Sequence, residues 1–560
     1  MRHTLTLMLL FFTLSSTLGF QGPQGSGSKE YLKNLPFQMS PIPEPSFPDR
    51  KFNIAEYGGV ADGRTLNTEA FAKAIGECTK AGGGTVIVPA GTWLTGPIRM
   101  ADNVNLHLER GAVIQLSSRI EDFPVVAGLE GKSKNFEYLP PISGSKLNNI
   151  AITGDGIIDG AGEAWRPVKK EKLTSHQWKD LTASGGWVSP DGKMWWPSKD
   201  AMDGEAYIKQ LKDSKAEISA DAVRKTREFL RPDLIRFEKC RGILLDGPTF
   251  ENSPKFHVHP VQCEEIIVRN VAIRSEWYAQ NGDGIDLSSC RNVLVCRSVI
   301  DCGDDGICIK PGNISESQTA GPACDHIVIA DCMVYHAHGG FVVGSETFGG
   351  AANISVTNCT FVGTDVGLRF KSLRGKGGIV ENIFIDGIQM KNIANEAILL
   401  DMYYGGDSPD IESAKGQGDA KSEPVNERTP QFKNISIKNV VCNGANRALR
   451  INGLPEMPIK SIRLENDSFT SRFGVLCAEA DGIGLSNCVV NVSEGPVIAL
   501  SQSRNMDFMK IGYRKGAAIF LSVTGDQSQA IRLSSINLQL ANKGIDIGGG
   551  ANEHAVTVVE

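Results

Sequence analysis

The sequence predicts an all-β solenoid, a parallel β-helix, on three observations. Short phrases of one pattern recur along the chain, among them "NNIAITG", "RGILLDG", "RNVLVCR", "DHIVIAD", "ANISVTN", "ENIFIDG" and "KNISIKN"; each is polar at its start and β-branched after, the mark of a short strand. A second phrase follows within each unit: "DGIDLSS", "DGICIKP", "GGFVVGS", "VGLRFKS", "EAILLDM" and "RALRING". Its first four copies are about 22, 34 and 27 residues apart, as in a repeat whose loops vary in length. Paired strands joined by tight hairpin turns are scarce, which argues against a sandwich.

The elements follow in order. Residues 1–19 carry Arg2 and His3, an apolar run from Leu5 to Phe12 and small residues up to Gly19, the pattern of a secretory signal. No cysteine follows to carry a lipid, and no later segment is apolar for long enough to span a membrane, so a periplasmic or secreted protein is expected. An N-terminal extension occupies 20–48, and a cap with the first coils 49–164. Within that part "TEAFAKAIGEC" puts Ala70, Phe71, Ala74, Ile75 and Cys78 at helical spacing, a helix fit to cover the open end of the core. At 165–235 the repeat breaks into a charged insert whose second half, "GEAYIKQLKDSKAEISADAVRKTREFL", is expected to be helical. Five of the seven tryptophans lie in it (Trp165, Trp178, Trp187, Trp195 and Trp196), either packing the insert onto the solenoid or walling a groove. The main β-helix runs over 236–503, with a polar insertion from about Gly405 to Pro430, and 504–560 adds further coils or a cap.

With 560 residues, 41% hydrophobic and 22% charged, the chain can bury a large core. Its 13 cysteines are odd in number and recur inside strand phrases such as "VLVC" and "TNCTF", so separate buried thiols are expected rather than a disulfide framework. No CxxC pair marks a zinc site. A net charge of −6 argues against nucleic acid as a partner, but leaves an acidic sugar polymer open, because local charge can oppose the net value.

Register turns the repeats into chemistry. In "GIDL", "GICI", "GFVV" and "GLRF" the apolar residues alternate, so Ile285, Leu287, Ile307, Ile309, Phe341, Val343, Leu368 and Phe370 are predicted to point inward. Asp286, Cys308, Val342 and Arg369 then form one outward column, and Ser288, Lys310, Gly344 and Lys371 the next. Just before the aligned glycines stand Asp283, the Asp304–Asp305 doublet and His338. Crowded carboxylates do not all ionise freely, so one is expected to keep a proton as general acid while another activates water. Arg369 and Lys371 can hold an anionic group by charge-assisted bonds. This set suits hydrolysis of a glycosidic bond beside a uronic acid. Asp155 and Asp159 in "GDGIIDG" are read as turn formers. His338, Arg369 or Lys371 alone would be an ordinary polar residue; their shared column makes the site.

The ordered phrases "NGDGID", "CGDDGICIK", "HAHGGFVVGSE" and "GLRFKS" resemble the four signature segments of glycoside hydrolase family 28, the polygalacturonases. "FNIAEYGGVADGRTLNTEAFAKAI", "GDGIIDGAGEAW" and "GGIVENIFIDGI" extend the likeness over roughly residues 50 to 450. The resemblance implies a right-handed, pectin-lyase-like β-helix and no metal or other cofactor. It implies that Asp304 is the general acid, that Asp283 and Asp305 position and activate water, and that His338 tunes the acid. Arg369 and Lys371 grip the substrate carboxylate, Asn281 opens the first motif, and Lys310 joins the substrate-facing set. The family inverts configuration, so its carboxyls are expected roughly 6.5–9.5 Å apart. This sequence departs from the family at Gly282, Ala337 and Phe370, where Thr, Gly and Ile are usual. Gly344, Ser345 and Glu346, with "GNISESQTAGPACDH", resemble the bacterial exo-acting branch.

The function expected is hydrolysis of α-linked galacturonic acid in a pectic polysaccharide or galacturonide oligosaccharides, acting from chain ends if the insert closes one end of the groove. A rhamnogalacturonan or xylogalacturonan hydrolase of the same fold is the alternative. A pectate lyase would want Ca²⁺ and a basic proton abstractor, and a non-catalytic carbohydrate-binding β-helix would keep its function in Asp304→Asn. Oligomeric state is not fixed by the sequence.

Overall fold

The computed structural model describes residues 28–312, 322–405 and 421–559. The expected signal at 1–19, part of the stretch after Lys310 and much of the 405–430 insertion lie outside the described residues. A parallel β-helix forms, with two long parallel sheets of 17 and 23 strands among the described residues.

The recurring phrases are its rungs. Ile243, Ile266, Val293, Ile327, Ile354, Ile383, Ile435 and Ile462 stand in register from coil to coil, so each buries its branched side chain on the same one above and below. The asparagine that opens many of these phrases has a structural cause. Asn149, Asn292, Asn353, Asn382 and Asn434 all have φ between 53° and 57°, a left-handed turn that asparagine tolerates better than a bulky residue.

The second phrases fulfil the predicted alternation. Ile285, Ile307, Phe341 and Leu368 are in register and buried, as are Leu287, Ile309, Val343 and Phe370 one step on. Phe341 packs edge-on against Phe370 at 6.0 Å, and Phe370 against Phe432 at 6.3 Å. Each such side chain contributes about 1.5–3 kcal/mol by leaving water. Helix α1, Thr68–Lys80, buries Ala70, Phe71, Ala74, Ile75 and Cys78 against the first coils, as the spacing predicts. At the other end parallel strands continue to Val559, so this stretch adds coils. All thirteen cysteines are buried as separate thiols. Among the described residues no helix is long and apolar enough to cross a membrane.

The second half of the insert is helical, as expected, but in two helices rather than one run. The insert holds helices α2 (Ser175–Ala183), α3 (Lys199–Asp213) and α4 (Ala220–Thr226) and a small antiparallel sheet. Two serines explain the break. Ser198 Oγ accepts from Ala201 N–H at 3.0 Å and starts α3 before the predicted stretch; Lys215 turns left-handed, and Ser219 Oγ accepts from Ala222 N–H at 3.1 Å to start α4. Of the insert's tryptophans, Trp165 wedges edge-on between Phe123 and Tyr138, Trp196 lies against Phe229, and Trp195 is also buried. These three rings pack the insert.

Residues 28–47 lie as a strap across the outer face of the 17-stranded sheet. Tyr31, Leu35, Phe37 and Met39 pack against a cluster that includes Leu244, Ile267, Leu294 and Val328, and Phe37 also meets Phe384. Tyr31 donates to Asp331 at 2.6 Å, and Arg269 binds both Ser28 and Glu44.

One buried acid far from the groove gives a stability prediction. Asp467 Oδ1 accepts from Val440 N–H at 2.8 Å, its Oδ2 has no partner, and burial pushes its pKa up to about 8. A carboxyl raised in the folded state supports folding below its unfolded pKa, and that support is lost as pH rises through about 8. Asp467→Asn is therefore expected to raise Tm at pH 9 by roughly 2–4 °C and to change it less at pH 5. Equal shifts at both pH values in thermal unfolding would contradict this.

Candidate active site

The site forms where adjacent coils turn into the strands Ile285–Ser288, Asp305–Lys310, Gly339–Val343 and Val366–Lys371. The turns bring Asp283, Asp304, Asp305 and His338 together, and the strands aim Lys310, Arg369 and Lys371 at them. Gly344 sits at the end of this face with φ 98°; a Cβ there would come within 2.0 Å of the Lys371 carbonyl oxygen, so no side chain stands between the lysines. Gly282, unusual for the resembled family, also has a cause: a Cβ would meet the Ala279 carbonyl and Cβ at 3.0 Å.

Asp304 Oδ1 lies 3.1 Å from His338 Nδ1, and the two turns are tied by His338 N–H donating to the Asp304 carbonyl at 2.8 Å. Asp305 Oδ2 accepts from Lys371 Nζ at 2.7 Å, and Arg369 Nη1 lies 3.6 Å from its other oxygen. Asp283 Oδ2 accepts from Lys310 Nζ at 2.8 Å; the same ammonium lies 2.7 Å from Asp286 and 3.9 Å from the centroid of the Phe256 ring. Tyr404 faces both Arg369 and Lys371.

Two expectations change. An oxygen from each of Asp283, Asp304 and Asp305 lies within 4.8 Å of the others, tighter than the separation expected of an inverting pair. The reason is the solenoid: neighbouring turns stack at the strand spacing of about 4.8 Å. Crowding does raise a carboxyl, but at Asp283, through burial and then the charge of Asp286; Asp286 itself is raised by burial. Asp304 goes the other way. Burial raises it, but the hydrogen bond and charge of His338, with Lys371 and Lys310, outweigh that and bring it to about 2. Asp283 and Asp286 are thus the raised carboxyls of the free site, and Asp304 is the lowered one.

Lys310 and Lys371, expected to face substrate, each pair with a carboxylate here, and both side chains are largely buried. That compensation also opposes a divalent cation among the three aspartates. Asn281 Oδ1 accepts from Arg231 Nη2 at 2.9 Å.

The structure adds residues that the repeats do not mark. Asp286 stands in the outward column as predicted but belongs to the charge cluster. Arg231, at the end of the insert, is pulled down to about 10 by burial and then by Arg166, with Asp233, Asp304 and Asp283 opposing. Lys172 Nζ, also from the insert, lies 3.4 Å from His338 Nε2, where Asp365 is 3.6 Å away. Trp277, 44% exposed, stands beside Lys172. One coil earlier, His259 links Asp233 at 2.7 Å to Ser288 at 2.8 Å. Nothing local in the sequence marks Arg231 or Lys172.

Carboxylates, a histidine and cations clustered on one face of a parallel β-helix are groups that a glycoside hydrolase uses. Residues 172–416 match glycosyl hydrolases family 28. An exopolygalacturonase structure from Thermotoga maritima is 30% identical, with a TM-score of 0.63 over 78% of this chain and 89% of that one. A probable polygalacturonase of Vitis vinifera is 27% identical over 424 residues, 74% of this chain and 73% of the relative. An exo-poly-alpha-D-galacturonosidase of Dickeya chrysanthemi is 27% identical over 418 residues, 72% of this chain but only 64% of the relative's own length. The chain belongs to glycosyl hydrolase family 28.

Proposed function

We propose that this enzyme hydrolyses α-linked galacturonic acid in pectic galacturonan, releasing small units from chain ends. The observation that carries the reading is the pairing of a compact carboxylate cluster with Arg369 and Lys371 on the same face, acid and base chemistry beside cations fit for a uronate. Asp304 donates a proton to the leaving glycosidic oxygen; Asp283 and Asp305 hold and deprotonate the attacking water; Arg369 and Lys371 take the carboxylate of the bound sugar. Lys310 holds Asp283 and Asp286, and Asn281 holds Arg231. His338 sets when Asp304 is charged. Because Asp304 is held low in the free site, its proton must arrive with binding, when water leaves and a substrate carboxylate adds negative charge, both of which raise an acid. End-directed action is supported by the insert, whose Lys172 reaches His338 and so borders the reacting bond. The Thermotoga and Dickeya relatives, named as exo-acting, agree.

The test is a time course on polygalacturonic acid and defined galacturonide oligomers with chelator present, following products by mass and ultraviolet absorbance. Saturated monomer or dimer from the first time point is expected. An early ladder of intermediate lengths would replace exo with endo action, unsaturated ends would mean a lyase, and turnover only on a branched pectin would move the substrate.

A further inference from the structure

The cations of the strand face already have carboxylate partners. Lys371 is matched by Asp305, Lys310 by Asp283 and Asp286, and Arg369 lies 3.6 Å from Asp305. Lys172 is different. It comes from the insert, its ammonium approaches the Nε2 of His338 at 3.4 Å, and it stands 5.5 Å from the ring centroid of Trp277. No ion pair among the described residues includes it. Lysine has only donors to offer, and the carboxylate nearest this contact, Asp365, lies 3.6 Å from the same His338 Nε2 without forming an ion pair with the ammonium. Trp277 beside it keeps much of its indole in solvent.

A uronic acid has what this pair can recognise: an apolar ring face for the indole and a carboxylate for the ammonium. The present contact between Lys172 and the Trp277 ring is long, near the limit for a cation over an aromatic face, and an entering sugar can replace it. We propose that Lys172 and Trp277 form a second uronate-recognising subsite beside the catalytic aspartates, separate from Arg369 and Lys371. This rests on the galacturonide reading above and sharpens it. With one reader on the insert and another on the strand face, the preferred substrate carries uronates at both positions flanking the reacting bond, as homogalacturonan does. A chain that alternates uronate with a neutral sugar satisfies only one reader.

The experiment uses the full chain with Lys172→Met, Lys172→Arg and Trp277→Ala, and compares trigalacturonic acid with the same trimer methyl-esterified on one terminal sugar. Lys172→Met is expected to raise KM for the acid trimer at least tenfold, to keep kcat within threefold, and to erase most of the preference for acid over ester; Lys172→Arg restores part of it. Trp277→Ala raises KM for both trimers alike. Calorimetric binding of the acid trimer in an Asp304→Asn background, with and without Lys172→Met, reads the subsite independently of turnover, and melting curves confirm folding. Unchanged KM and preference in Lys172→Met would overturn the proposal. So would a loss confined to kcat with a shifted pH profile, which would make Lys172 a positioning residue for His338. If the wild-type enzyme turns over no galacturonide, the proposed function fails; the subsite then stands or falls on the calorimetry.

Discussion

Asp304→Asn is expected to lower kcat on galacturonide oligomers by about 10²–10⁴-fold, the range for removing a general acid, with KM changed little. The substitution keeps the local frame. Asp304 Oδ1 accepts from Asp305 N–H at 3.0 Å, and an asparagine carbonyl can accept the same bond, so the turn and the placement of Asp305 survive. What goes is the transferable proton. Asp304 stands between His338, whose Nδ1 is 3.1 Å away, and the backbone of Asp305. Steady-state rates with binding measured separately decide it: kcat within threefold of wild type would remove Asp304 from the acid role, and a fall in binding with no fall in kcat would make it a substrate contact.

Lys310→Met is expected to destabilise the fold by about 3–5 kcal/mol, the cost of leaving a buried charge without its partner. Its ammonium is shared by two carboxyls that face no other cation at such short range, Asp283 at 2.8 Å and Asp286 at 2.7 Å. Both are already raised by burial, and Lys310 is what opposes that rise. Without it they rise further. A raised carboxyl supports folding at low pH and loses that support as pH climbs through the folded value, so the deficit should be small near pH 4 and large near pH 8. Adding Asp286→Asn should recover part of it at pH 8. Denaturant unfolding at the two pH values checks the sign, and a deficit that grows toward acid would contradict the account.

The fold was legible because a solenoid writes its register into the sequence. Ile285, Ile307, Phe341 and Leu368 share one register, and that register alone brings Asp283, Asp304, Asp305 and His338 into one patch. The electrostatics were less legible. Which acid is raised depends on distances within a few ångströms: Asp286, read as one outward residue among others, turns out to share a lysine with Asp283, and His338 drives Asp304 down. The insert was least legible. Lys172 is 166 residues from His338 in the chain, and no periodicity spans that gap. The break between α3 and α4 was marked by Ser219 but hidden by helix-forming residues on both sides. Of the five tryptophans that stood out by number, Trp165, Trp195 and Trp196 are packing, whereas Trp187 and Trp277 stay exposed and Trp277 stands beside Lys172.

The strap of residues 28–47 bears on how the chain assembles. A solenoid grows by neighbours, each coil finding its surface on the one just finished. The strap does not obey this rule, because the surface it covers reaches from Leu244 to Phe384. On a ribosome adding about 5–20 residues per second, that surface is complete only on the order of tens of seconds after the strap itself has been made. The earliest described residues are therefore among the last to dock, and by binding many coils at once they couple units that would otherwise fray independently.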